Sequence, residues 1–84
     1  MTELQTNYDS RASFYGKALV GENSLLGEGI HLKSYDTFVA KIVNDKAIVN
    51  GLYSATTTRH IKEFLKQNDF KAETSKQIMN DYGA

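Results

Sequence analysis

Residues 37–67 read TFVAKIVNDKAIVNGLYSATTTRHIKEFLKQ, and a change of period inside this stretch decides the fold. From Thr37 to Val43 the chain is rich in β-branched and aromatic residues, which suit a pleated, half-buried surface. Asn44, Asp45 and Lys46 interrupt it. Asn and Asp tolerate left-handed backbone geometry, so the chain is expected to reverse here and return as a strand from Ala47 to Tyr53. Pairing across that turn puts Phe38, Ala40 and Ile42 with Val49, Gly51 and Tyr53 on one face, the expected core, and Lys41 on the other. After Tyr53 the apolar spacing becomes helical: Thr57, Ile61, Phe64, Leu65 and Asn68 fall on one side, with Ser54 or Thr56 to cap the first amides.

Upstream, residues 13–20 contain Phe14, Tyr15, Leu19 and Val20 around Gly16 and predict a strand. Its inner face would carry Phe14, Gly16, Ala18 and Val20, leaving Tyr15 and Leu19 outward. Residues 21–24 predict a break, with Leu25-Leu26 and Gly27-Glu28-Gly29 following it, residues 30–33 a shorter strand, and Ser34-Tyr35-Asp36 a turn. Downstream, Asn68-Asp69 ends the first helix and Phe70 turns back toward the core. Thr74-Ser75-Lys76-Gln77 then has the form of a capping box, opening a second helix that carries Ile78, Met79 and Tyr82 and stops at Gly83. Residues 1–12 are polar and aperiodic apart from Leu4 and Tyr8 and are expected as a flexible lead-in, with a single domain over residues 13–84. The fold class is α+β: an antiparallel meander of about four strands, then two C-terminal helices packed on one face.

A chain of 84 residues makes one small domain, and without cysteine it has neither a disulfide nor a thiolate for zinc. A second copy of the chain is therefore a candidate partner. Ten basic residues balance ten acidic ones, which argues against a polyanion binder held by net charge. Residues 1–6 lack the charged head and apolar run of a signal peptide, and no stretch approaches the roughly 18 apolar residues of a membrane span. The expected location is the cytoplasm, with no membrane partner.

The chemistry on offer is sparse. His31 and His60 are the only histidines, and neither has a metal-ligand neighbour at typical spacing, so both read as ordinary surface imidazoles. A Ser54-His60-Asp69 assembly can be composed on paper, yet no strained nucleophile turn accompanies it. The glycines between Gly21 and Gly29 lack the Gly-Lys-Ser/Thr ending of a phosphate loop. No catalysis, metal or cofactor is expected. Two surface features remain as candidate partner-binding sites. Arg59, Lys62 and Lys66 form a basic stripe on the first helix, with Glu63 beside it. Tyr15 with Leu19 would form an exposed apolar patch on the outer face of the first strand.

Two stretches carry a resemblance: residues 8–18, YDSRASFYGKA, and residues 34–65, from SYDT through GLYSATTTRHIKEFL. They resemble a family of small uncharacterised proteins from phages, plasmids and genomes of Gram-positive bacteria such as lactobacilli and enterococci. The likeness covers most of the chain from Tyr8 to Tyr82, with residues 20–33 the least family-like part. It implies no activity. Small accessory proteins of mobile elements often bind a host or rival protein, and blocking an RNA-guided defence nuclease (anti-CRISPR action) is one such use. The resemblance therefore implies a protein-binding module docked on a host or defence protein. The basic helix face keeps a nucleic-acid-binding regulator as the alternative.

Overall fold

A computed structural model describes residues 1–23, 27–51 and 53–84. Among these residues five antiparallel strands form one meander in sequence order: β1 (Thr2–Glu3), β2 (Ala18–Asn23), β3 (Gly27–Ser34), β4 (Thr37–Val43) and β5 (Lys46–Val49). Two helices follow, α1 (Ala55–Gln67) and α2 (Ser75–Tyr82). This is the expected α+β arrangement with one strand more. The expected turn residue Ser24, the Leu25-Leu26 pair and Leu52 of the expected last strand lie outside the described residues.

The central hairpin forms where its local signals put it. Asn44 and Asp45 both take positive φ, 51° and 63°, the conformation a two-residue turn needs to match strand twist. Ser54 caps α1 by accepting from the Thr57 amide, and Thr74 caps α2 by accepting from the Gln77 amide. Asp69, at φ 67°, turns the chain after α1 so that the Phe70 amide donates to the Leu65 carbonyl. Phe70 then packs edge-on against Tyr82 at 5.8 Å. Both helices pack on the sheet face carrying Ala18, Leu32, Ala40 and Val49, and Ile61, Phe64, Leu65 and Ile78 complete the core.

Simple alternation fails at a β-bulge. Leu32 pairs with Ala40 but Lys33 pairs with Phe38, so Val39 is an extra residue and the pleat slips by one. Val39 and Ala40 are consequently both buried. Phe38, expected in the core, is turned to the other face, where the Lys33 ammonium lies 5.7 Å from its ring and the His31 ring packs edge-on at 6.3 Å. His31 is itself buried, its Nε2 donating to the Gly27 carbonyl, and is no surface imidazole. Gly29 sits at φ 95° hard against the Ile42 carbonyl and Val43, where a Cβ has no room. β5 ends at Val49, so Gly51 and Tyr53 lie beyond the sheet, although Tyr53 still packs on the core.

The strand expected over residues 13–20 begins only at Ala18. Residues 13–17 form a turn in which Tyr15 and Gly16 take φ of 55° and 75° and the Lys17 amide donates to the Phe14 carbonyl. Phe14 reaches the core from this turn rather than from a strand. Residues 21–23, expected as a break, continue β2 against β3, with a register shift between Glu22 and Asn23. The expected lead-in is also placed differently: Thr2 and Glu3 pair with Val20 and Leu19, and Leu4 is buried with its amide on the Ala18 carbonyl.

Phe64 is buried between sheet and helix, Ile42 is half-buried near the sheet end, and Lys41 is half-buried on the opposite face. In thermal melts Phe64→Ala should cost about 4 kcal/mol, Ile42→Ala less, and Lys41→Ala little. Equal losses in all three would contradict the packing described.

Candidate functional site

On α1 the helical spacing puts Glu63 next to Ile61 and Phe64 with little access to water, and its side chain is 1% exposed. A buried carboxylate needs donors. The Tyr8 and Asp9 amides both donate to Oε1 at 2.8 Å, and the Gln67 Nε2 donates to Oε2 and to the Gln5 carbonyl at 2.6 Å each. Residues 5–9 are thereby held along α1. Asp9 in turn accepts from the Arg11 amide at 2.9 Å and pairs with the Arg59 guanidinium at 3.2 Å. Helical spacing allows Glu63 to pair with Arg59 or Lys66, but its oxygens instead clamp the N-terminal segment.

This clamp delivers the chain into the turn at residues 13–17, which is braced by side chains. The Tyr15 amide donates to Ser13 Oγ, and the Gly16 amide donates to Glu3 Oε2, both at 2.8 Å. The Tyr35 amide donates to the Lys17 carbonyl at 2.8 Å, joining this turn to the β3–β4 turn. Between the two turns and α1 lies a cleft of 210 Å³, lined by Arg11, Ser13, Phe14, Tyr15, Lys17, Tyr35, Thr56, Arg59 and His60. Tyr15 and Tyr35, on its rim, both have φ of 55°. A bulky side chain in the left-handed region costs about 1 to 3 kcal/mol and survives only when the surroundings enforce it, a pattern that concentrates at functional sites. Tyr15 is 75% exposed, so packing of its ring does not explain the conformation.

The floor of the cleft is His60. It is buried rather than a surface imidazole, with Ser34 Oγ 2.7 Å from its Nδ1, Thr57 Oγ1 3.0 Å from that hydroxyl, and the Phe14 ring edge-on at 4.5 Å. The serine beside it is Ser34, which is 2% exposed, so the pair is packed beneath the cleft. Ser54 is spent on the helix cap and Asp69 lies in the turn after α1, so the assembly composed from sequence does not form. Among the described residues no three His, Cys, Asp or Glu side chains gather, and no helix is long and apolar enough to cross a membrane.

Arg59, Lys62 and Lys66 do share one face, and all three line a second, shallow cleft of 180 Å³. Tyr8, Asp9, Ser10 and Glu63 line it too, so the stripe is partly covered and partly neutralised. Arg59 lines both clefts. Tyr15 and Leu19 are not one patch: Tyr15 sits in a turn, outside strand alternation, while Leu19 is half-buried in β2 between Glu3 and Lys33. The residues that sequence reading missed are Arg11, Lys17 and Tyr35, which converge with Tyr15 and Arg59 only through the two turns.

Burial holds the His60 pKa below its ordinary 6.5; the Asp9 carboxylate opposes this, and the Arg11 and Lys17 cations reinforce it. The unfolded chain therefore takes up the proton more readily. His60's contribution to stability is full above pH 6.5 and is lost as pH falls through that value toward the lower folded pKa. An imidazole NMR titration should give a folded midpoint below 6.5, and a midpoint above it would contradict the burial described.

No curated protein and no solved structure matches the chain. A family model does match, over residues 2–81, a span that takes in all five strands, α1 and nearly all of α2. The chain belongs to the family of unknown function DUF8033.

Proposed function

We propose that the chain is a non-enzymatic binding module, an accessory protein of a phage or other mobile element of Gram-positive bacteria, that docks on a host or defence protein in the cytoplasm. Inhibition of an RNA-guided defence nuclease is the specific form of this reading. The observation that carries the docking role is Tyr15, a large aromatic 75% exposed and held in a left-handed turn. Tyrosine presents much contact area at low entropic cost and is enriched among residues that anchor interfaces. Arg11, Lys17 and Arg59 around it favour an acidic partner surface.

The alternative, a nucleic-acid-binding regulator, draws on Arg59, Lys62 and Lys66 sharing one helix face. Asp9 and Glu63 within that face weaken it. The two readings separate in a cellular assay of an RNA-guided nuclease in a Gram-positive host. The chain should protect a targeted plasmid, Tyr15→Ala should lose that protection with about 2 kcal/mol or more of affinity for the nuclease, and the triple alanine change at Arg59, Lys62 and Lys66 should matter less. Sub-micromolar, salt-dependent binding to random DNA that the triple change abolishes would replace the docking reading with the alternative.

A further inference from the structure

The cleft between the two turns and α1 has a composition that protein docking does not require. Three cations, Arg11, Lys17 and Arg59, line it, and no carboxylate among the described residues does. Two acids lie nearby and both are occupied. Asp9 holds Arg59 from the rim through one oxygen, and Glu3 takes the Gly16 amide behind the turn. Counting Asp9 and Glu3 against the three cations leaves a local surplus of one positive charge in a chain of zero net charge. Glu3 lies behind the turn, so the cleft itself presents its cations to an anion such as a phosphate monoester, which carries about −1.5 to −2 near neutral pH.

The walls add a second kind of recognition. Tyr15 is 75% exposed and Tyr35 47%, and both are fixed by left-handed turns at the mouth of the cleft. The Lys17 ammonium lies over the Tyr35 ring at 5.7 Å and the His60 ring lies 5.9 Å from it, so the 75% exposed Tyr15 is the freer surface for a stacked planar group. Exposed aromatic rings beside a cluster of cations serve bases and phosphates together. We propose that this cleft is a nucleotide site: Arg11, Lys17 and Arg59 hold the phosphate, and the exposed Tyr15 ring receives the base. The volume of 210 Å³ admits the phosphate and sugar, with the base lying against Tyr15 at the mouth.

The site shares Tyr15, Arg11, Lys17 and Arg59 with the docking reading, but the probes below contain no protein partner, so the two readings fail separately. The phosphate can come from a free mononucleotide or from the end of a nucleic-acid strand. His60 forms the floor and reports on both, since Asp9, Arg11 and Lys17 act on it and Arg59 and the Tyr15 and Tyr35 phenols line the same cleft. A bound phosphate offsets the Arg11 and Lys17 cations, so it should move the His60 titration midpoint upward.

The test is an NMR titration of the whole chain with inorganic phosphate, adenosine and uridine monophosphates, and short oligonucleotides with and without a 5′-phosphate. The expected result is binding of the monophosphates in which Tyr15, Tyr35 and His60 resonances move together and the His60 midpoint rises. Inorganic phosphate should bind roughly 5- to 150-fold more weakly, since it lacks the stacking partner worth about 1 to 3 kcal/mol. Arg11 and Lys17 are exposed, so Arg11→Ala with Lys17→Ala should leave the melt unchanged while weakening monophosphate binding about tenfold or more. If the 5′-phosphorylated strand binds and the 5′-hydroxyl strand and mononucleotide do not, the source is a strand end. If mononucleotide binds equally well, the source is the free nucleotide. No response to any phosphorylated probe at millimolar concentration would overturn the site, as would equal binding of inorganic phosphate or binding that survives the double change.

Discussion

The carboxylate of Glu63 is the constraint on which the rest of the N-terminal structure depends. A carboxylate 1% exposed inside a small domain is costly unless its oxygens are occupied, and leaving its donors unpaired is costly in turn. The Tyr8 and Asp9 amides and the Gln67 side chain satisfy it at 2.6 to 2.8 Å. Two consecutive backbone amides from residues far away in sequence thus bind one oxygen of a helix. From that point the chain has little freedom: Asp9 meets Arg59, Arg11 reaches the cleft, Phe14 enters the core, and the turn at Tyr15 must reverse before β2.

That path explains where strain collects. Two tyrosines with φ of 55° line one cleft, and the Tyr35 amide on the Lys17 carbonyl joins their turns. Glycine would relieve either turn, and glycine follows Tyr15 directly, yet the aromatic residues stand at the strained positions. Within a domain whose total stability is on the order of 5 to 10 kcal/mol, such conformations are a substantial cost. The sheet and helices supply the rigid frame that enforces them.

How much of this was legible follows from how far each signal reaches along the chain. The β4–β5 hairpin and both helices stood in the sequence because a turn, a cap and a helical period are local, and Asn44-Asp45, Ser54 and Thr74 carry them directly. The bulge at Val39 was not legible, since the slip is visible only when β4 is laid against β3, and it reversed the assignment of Phe38. Residues 13–17 looked like a strand because Phe14 and Tyr15 favour one. Gly16 was the available warning of a turn. Glu63 read as one more charge on a solvated stripe, because nothing in its neighbourhood announces that backbone amides 54 and 55 residues away will bind it. The candidate cleft inherits that limit. Arg59 and Tyr15 were singled out separately, but their meeting with Arg11, Lys17 and Tyr35 depends on the clamp.

Amide hydrogen exchange tests the clamp most directly. The Tyr8 and Asp9 amides lie in no helix or strand, yet each donates to Glu63 at 2.8 Å, so they should exchange at least about 100-fold more slowly than in an unstructured chain. Exchange of these two amides at unstructured rates, while the amides of α1 stay protected, would contradict the account.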